Sequence, residues 1–336
     1  MNIKKKVISL ALKFLILIVS LFIFFAMAEM VLRVKKDGKY SDPRFAYNKE
    51  WSKKFVTLNS HGFRDYEYSI EKPDDVFRIM VMGDSQTVGH GIEKLNDTWP
   101  KILESSLNEG FEKKKFEVIN MANWGYNFDK FFYDTFERAF KFQPDIILIQ
   151  VFFHNDVLTP RNHHCDYGQF IHWGSDFFED LKTVNRFLNK SRLYQFFKFR
   201  LDQLLIKLGR KKSYADCLKE RFDSRGWDMS MVYLNQIIKA SKLKNVKIML
   251  SILPVLYNLD DYEIYWAHEK LKNHCHAQQI TCLDLFDHGL KGIDTHEIVV
   301  SSQDLHLNEK GLEVVGNEVY KKLSPLREFK HLSKIA

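Results

Sequence analysis

Cysteine is scarce in this chain: four in 336 residues, at positions 165, 217, 275 and 282. No two of them stand in a C-x-x-C spacing, which removes a zinc ribbon and a dithiol redox motif. The pairings Cys165–Cys217 and Cys275–Cys282 stay open for an oxidising compartment, and free buried thiols are the other reading. A long basic block with interleaved aromatics is also missing. The formal charge is +7, but the basic residues are scattered, for example at Lys4–Lys6, Lys113–Lys115 and Lys207 to Lys212. That pattern reads as a mildly basic solvated surface and gives no nucleic-acid partner. Attraction to anionic lipid or an acidic glycan is the weaker alternative. There is no internal repeat and no low-complexity tract. The interval Gly83 to Gly89 lacks the Gly-Lys-Ser/Thr of a phosphate loop, and Gly89-His90-Gly91 makes no dinucleotide fingerprint. His154 and His163-His164 find no third ligand at a recognisable spacing, so no metal is expected.

What the chain does have is an apolar N-terminus. Residues 14–28 form an apolar run holding one serine, Ser20, and Val7–Leu12 extend it backwards with Lys13 as the charged interruption. The extended span suffices to cross a bilayer as a helix, which takes ~20 residues. Residues 1–33 therefore read as a signal anchor. The small-x-small pattern Ala26-Met27-Ala28 also fits a cleaved signal peptide. Both readings export the rest. Charge does not fix the orientation, because Lys4, Lys5, Lys6 and Lys13 are balanced by Arg33, Lys35, Lys36 and Lys39. The outward placement of the remaining chain follows from the form of the N-terminal segment.

Residues 34–75 are irregular and polar, with Pro43, Pro73 and the stretch Asn59-Ser60-His61-Gly62-Phe63-Arg64-Asp65. They read as a juxtamembrane lead-in packed on a catalytic domain at 76–325. From there strands and helices alternate. Strands are expected at Phe77–Met82, Phe116–Met121, Asp145–Phe153, Val246–Leu253 and Ile280–Phe286. Helices are expected at Trp99–Leu107, Phe128–Phe142, Met229–Ala240, Tyr262–His276 and Asn308–Leu323. The run Asp-Ile-Ile-Leu-Ile-Gln-Val-Phe-Phe at 145–153 is apolar but for Asp145 and Gln150, and without alternation, as a central parallel strand requires. Alternation of this kind predicts an α/β fold, a three-layer α/β/α sandwich around a mostly parallel sheet. Residues 160–225 break the rhythm. They hold no convincing strand and one amphipathic stretch, Leu193–Leu208. This is a helical insertion over the C-terminal edge of the sheet, either a lid or substrate groove or a structural excursion.

Candidate chemistry lies at the strand ends. The first strand runs into Gly83-Asp84-Ser85, with more glycine at 89 and 91. A serine at the C-terminal end of a buried strand, on a tight turn, is placed to be an exposed nucleophile. Such a serine needs a base, oxyanion donors and a group that orients the base. The second strand ends in Asn123-Trp124-Gly125, where a glycine N–H can approach a ligand. The third ends in Phe153-His154-Asn155-Asp156, where an amide side chain is a second donor. Near the C-terminus comes Ser301-Ser302-Gln303-Asp304-Leu305-His306, a histidine in a loop just before a helix.

The order Gly-Asp-Ser, Gly, Asn-Asp and a late Asp/His pair resembles the SGNH, or GDSL-like, hydrolase superfamily over roughly residues 75–325. The strongest match is Gly83-Asp84-Ser85-Gln86-Thr87-Val88-Gly89. The block around Asn155 differs from the family's in having Phe153 in place of a glycine. The resemblance implies a flavodoxin-like sandwich with Ser85 as nucleophile and His306 as base. The Ser85 N–H, Gly125 N–H and Asn155 side chain would form the oxyanion hole, with Asp84 and Asp156 supporting. The family's last block has an acid three residues before the histidine. Here that position is Gln303, and the acid is Asp304, one residue later. Three outcomes follow: Asp304 orients His306 through a shifted loop, Gln303 supports a Ser–His dyad, or catalysis has been lost. The implied activity is ester hydrolysis through an acyl-enzyme without metal or organic cofactor. Acylated carbohydrate, with O-acetyl groups on an extracytoplasmic polysaccharide foremost, or a small ester is the expected substrate. Acetyl transfer onto a glycan and a non-catalytic glycan-binding or assembly role are the alternatives.

Overall fold

The computed structural model describes residues 3–34, 49–158, 188, 191–301 and 304–326. The chain divides into two compact units, Met1–Lys39 with Asp166–Tyr214, and Tyr40–Cys165 with Ala215–Ala336. Helix α1 (Ile3–Val34) belongs to the first. In the second, α2 (Lys49–Phe55) precedes β1 (Phe77–Met82), the single turn α3 (Ser85–Val88) and α4 (Trp99–Asn108). Then come β2 (Phe116–Asn120), α5 (Phe128–Glu137) and β3 (Ile146–Phe152). Helix α6 (Arg192–Lys207) lies in the first unit, and the second resumes at Ala215, within α7 (Tyr214–Phe222). It continues with α8 (Arg225–Leu243), β4 (Lys247–Leu253), α9 (Tyr265–Gln278) and β5 (Thr281–Asp284). The last elements are α10 (Thr295–Ile298), β6 (Val299–Ser301), β7 (Asp304–Leu307) and α11 (Glu309–Leu323).

Five strands form one parallel sheet in the order β2-β1-β3-β4-β5. All of β3 is buried, which is why its sequence is apolar without alternation except at Gln150. The chain steps from β1 out to β2, then returns past β1 to β3. Right-handed crossovers in opposite directions put α4 on one face of the sheet and α5 on the other. Helix α8 packs on α5, and α11 returns to pack on α4. The result is the expected three-layer sandwich, with the flavodoxin-like strand order. Its topological switch point, where ligands bind in such folds, lies between the C-terminal ends of β1 and β3.

Local differences from the sequence reading have identifiable causes. The helix expected over Phe128–Phe142 stops at Glu137, and a tighter turn, Ala139–Phe142, follows the non-helical Arg138. The strand expected to reach Phe286 ends at Asp284, where the chain coils into Phe286–Leu290. The antiparallel hairpin of β6 and β7 was not anticipated. It carries His306, which therefore sits on a strand and not in a loop.

Part of the lead-in is built into the second unit: Trp51, Phe63, Arg64, Asp65 and Tyr68 are all buried. Of the cysteines, Cys275 and Cys282 face each other as thiols with their sulfurs 2.7 Å apart, and Cys217 is a buried thiol. Cys165 and the His163-His164 pair lie outside the described residues. In α1, Ile8–Arg33 is long and apolar enough to cross a bilayer, a property shared by membrane anchors and signal sequences.

Candidate active site

Ser85 opens α3 at the end of β1, at the switch point. The turn is tight because residue 83 has no side chain. A Cβ on Gly83 would lie 2.1 Å from Thr87 Oγ1. Thr87 in turn donates its hydroxyl to Gln150 Oε1 on β3 at 2.7 Å, tying the turn to the central strand. Asp84 caps α3 by accepting the Gln86 N–H at 2.9 Å.

Ser85 Oγ stands 2.8 Å from His306 Nε2. His306 Nδ1 stands 2.5 Å from Asp304 Oδ1, which also accepts the His306 backbone N–H at 3.1 Å. Asp304 and His306 are two apart on β7, and residues i and i+2 of a strand share a face. This is how an acid two residues before His306 reaches its Nδ1. Ser85, His306 and Asp304 are thus in one hydrogen-bonded line. Gln303 lies outside the described residues.

Charge follows the same line. Burial opposes ionisation of Asp304, but the His306 charge and its hydrogen bonds outweigh it and hold the carboxyl at about 2. Burial likewise opposes the imidazolium of His306. Asp304, by charge and hydrogen bond, and Asp84 more than offset it, so His306 is raised above the ordinary imidazole value. It is a stronger base than a free imidazole and is aimed at a serine hydroxyl.

Because β2 and β3 flank β1, the loops after them border the Ser85 turn. Gly125, in the first, has φ +67° with open space where a Cβ would point. Its glycine answers to backbone conformation, not to crowding. Asn155, in the second, has its side-chain amide on the Asp84 carboxylate. Asp84 is pushed up by burial and drawn back by the Gln86 N–H, the His306 charge and Asn155, with a net rise. Asp156 accepts the Phe152 N–H at 2.6 Å, and burial together with the nearby Asp84 pushes it well above the usual carboxylate range. Asp84 and Asp156 therefore hold backbone, the first in the Ser85 turn and the second in the loop after β3.

Several contributors were not singled out from sequence. Gln86 is one. Its side-chain Nε2 donates to Leu305 O at 3.1 Å, and its Oε1 accepts from Leu307 N at 3.0 Å. The amide thus pairs with β7 on either side of His306 and fastens that strand to the Ser85 turn. Arg64 is another. Its buried guanidinium donates to the carbonyls of Val88, Gly89 and Ile92 at 3.1, 2.7 and 2.6 Å. It braces the loop that carries His90. Beside it, Asp65 accepts the Asn120 N–H at 2.6 Å and pairs with Lys101 at 2.7 Å, fixing the end of β2.

His90 completes the surroundings of Asp304. The Trp124 indole N–H, which can only donate, lies 3.1 Å from His90 Nδ1. That makes Nδ1 an acceptor and puts the proton on Nε2, which faces Asp304 Oδ2 at 3.9 Å. Burial, with the His306 charge second, lowers the His90 pKa to about 3, so its ring stays neutral. His90, Asp304 and His306 are close enough together to be taken for a metal cradle. The Trp124 contact argues against that role, because a protonated Nε2 has no lone pair to offer a metal.

No protein-family model and no curated protein matches this chain. Among solved structures it is similar to a catalytic mutant of an acetylxylan esterase from Geobacillus stearothermophilus, at 12% identity over 73% of this chain and 93% of that one, TM-score 0.44. It is similar to the psychrotrophic esterase EstA from Pseudoalteromonas, at 12% identity over 74% and 97% of the two chains, TM-score 0.42. A GDSL-like lipase from Bacteroides thetaiotaomicron is similar at 10% identity over 74% and 88%, TM-score 0.38.

Proposed function

We propose that this chain is a serine ester hydrolase working through an acyl-enzyme on Ser85. The observation that carries the proposal is the continuous line Asp304 Oδ1–His306 Nδ1, 2.5 Å, and His306 Nε2–Ser85 Oγ, 2.8 Å, at the switch point of the sheet. Ser85 Oγ bonds to the ester carbonyl carbon as His306 Nε2 takes the hydroxyl proton. The negative charge that develops on the carbonyl oxygen is met by the Ser85 and Gly125 backbone N–H groups and the Asn155 side-chain amide. His306 gives the proton to the departing alkoxide as the carbon–oxygen bond breaks, leaving acyl-Ser85. Water then attacks the acyl carbon while His306 takes its proton; the bond from the acyl carbon to Ser85 Oγ breaks, His306 returns the proton to Oγ, and the carboxylic acid leaves. Asp304 keeps the imidazole oriented and stabilises its charged form throughout.

For substrate we propose O-acyl groups, acetyl foremost, on a polysaccharide outside the cytoplasm. Support comes from the family resemblance of the catalytic blocks and from the apolar helix α1, which suits an anchored or exported enzyme. The full chain should hydrolyse p-nitrophenyl acetate and release acetate from an acetylated glycan. Ser85→Ala should remove ~10³-fold or more of the rate, as loss of a nucleophile does. A fluorophosphonate probe should attach to Ser85. Failure of that labelling in folded protein would sink the serine mechanism. Acetate appearing on an added acceptor sugar instead of in solution would replace hydrolysis by transfer.

A further inference from the structure

Helix α6 is polar where it should be apolar. Among its described side chains only two are fully buried, and both are charged: Lys198 at 3% exposure and Asp202 at 4%. Asp202 is paired with Lys211 at 2.9 Å. The exposed positions are Phe196, Phe197, Arg200, Leu204 and Lys207, with Leu208 at the C-cap. At ~100° per residue these six fall within about 120° of arc, with Asp202 directly opposite. A helix in water buries such an apolar face and turns its charges outward. Here a stripe of two phenylalanines and two leucines, joined by two basic residues, is turned out.

The start of the same helix is fastened to the end of the apolar helix α1. Glu29 accepts the backbone N–H groups of Arg192 and Leu193 at 3.0 and 2.8 Å and the Ser191 hydroxyl at 2.9 Å. Ser191 Oγ in turn accepts the Tyr194 N–H at 3.1 Å. Three of the four N–H groups that a helix start leaves unsatisfied are met in this way, two of them by a carboxylate suited to the positive end of the helix. Within Ile8–Arg33, side chains up to Met27 are exposed, and partial burial begins at Ala28, Glu29 and Leu32. The start of α6 is therefore held at the C-terminal end of the apolar span, the level at which a membrane helix leaves the hydrocarbon.

We infer that α6 is a second membrane-binding element, which lays its Phe196, Phe197, Leu204 and Leu208 face into the interfacial layer of an anionic bilayer. Arg200 and Lys207, on the same face, then meet lipid phosphates. The inference rests on α1 being a membrane span and is independent of the esterase reading.

The test is photo-crosslinking of the full chain reconstituted in phosphatidylethanolamine–phosphatidylglycerol vesicles. Benzoylphenylalanine replaces Phe197, Phe22 or Leu243 in turn, the last being an exposed position of the other unit. Lipid adducts are expected at 197 and 22 and not at 243. Adducts at 22 alone overturn the assignment of α6 and leave the span standing. Adducts at neither overturn both. Equal labelling at 243 marks the adduct at 197 as unspecific and also overturns it. Crosslinks from 197 to a second copy of the chain replace lipid by a dimer. Exchanging Arg200 and Lys207 for glutamine should cut the lipid adduct at 197 at least threefold, and an unchanged yield overturns the headgroup contact. No arm reads enzyme activity, so failure of the esterase proposal leaves the result interpretable.

Discussion

Asp304 and His306 stand two residues apart on one short strand, and the carboxylate of the first lies 2.5 Å from the imidazole of the second. Strand geometry, which puts residues i and i+2 on one face, brings the two side chains together.

Replacing Asp304 by alanine or asparagine should therefore lower kcat by about 10³- to 10⁴-fold, the cost of losing the residue that orients and balances the base. Gln303→Ala should cost far less in the same steady-state assay. A larger loss at Gln303 would restore the dyad reading.

The pH profile carries a sign. His306 must be neutral to accept the serine proton, and its pKa is raised, so the acid limb of kcat/KM should lie above the ordinary imidazole value of about 6.5. Activity is lost as pH falls through that limb. Asp304→Asn removes the charge that raises it and leaves the burial that lowers it, so the residual activity should show a limb at lower pH. A limb that stays in place when Asp304 is neutralised would mean that another group controls the base.

Gln86→Ala should misplace the base without removing it. Losing the bonds to Leu305 and Leu307 frees β7 from the nucleophile's turn, and a displacement on the order of 1 Å costs about 10²-fold. Slower fluorophosphonate labelling of Ser85 at unchanged KM is the expected signature. Gln86→Glu keeps the acceptor for Leu307 and loses the donor to Leu305, so it should not restore full activity.

His90 acts on the acid of the line. His90→Phe keeps a ring beside Trp51 but removes the N–H that faces Asp304 Oδ2. With less stabilisation of its anion, Asp304 should hold the His306 proton more tightly. The acid limb should then rise in pH and kcat should fall by roughly tenfold, a loss of ~1.4 kcal/mol in transition-state stabilisation. His90→Gln, which can present an N–H again, should bring the limb back towards its original position. A change in thermal stability with no shift of the limb would make His90 a packing residue only.

Arg64→Lys should destabilise the folded chain by about 2–4 kcal/mol in urea denaturation. One ammonium cannot serve the carbonyls of Val88, Gly89 and Ile92 that the fork of the guanidinium reaches together. Unchanged stability would show that the loop does not depend on it.

The sheet was legible because its strands are runs that leave no other reading. Phe77–Met82 is apolar but for Arg78 and stops at a glycine, and Ile146–Phe152 is buried on both faces. The line of serine, acid and histidine could be listed as candidates, but the choice between Gln303 and Asp304 needed the backbone. Spacing alone does not say whether a stretch is loop or strand, and a four-residue strand beside a three-residue one leaves no period to detect. Gln86, His90 and Arg64 were out of reach for another reason. Their partners are set by tertiary approach: Gln86 meets residues 219 and 221 positions away. An amide, an imidazole and a guanidinium carry no mark of that in their neighbours.

The guanidinium of Arg64 also sets what can be inherited or exchanged as a piece. A fragment started at the first strand would keep every residue of the proposed chemistry and still leave the loop behind Ser85 without its brace. A chimera joining this sheet to a foreign upstream segment would fail in the same way. The lead-in and the Ser85 turn are one mechanical unit, and a change in either is answerable to the other.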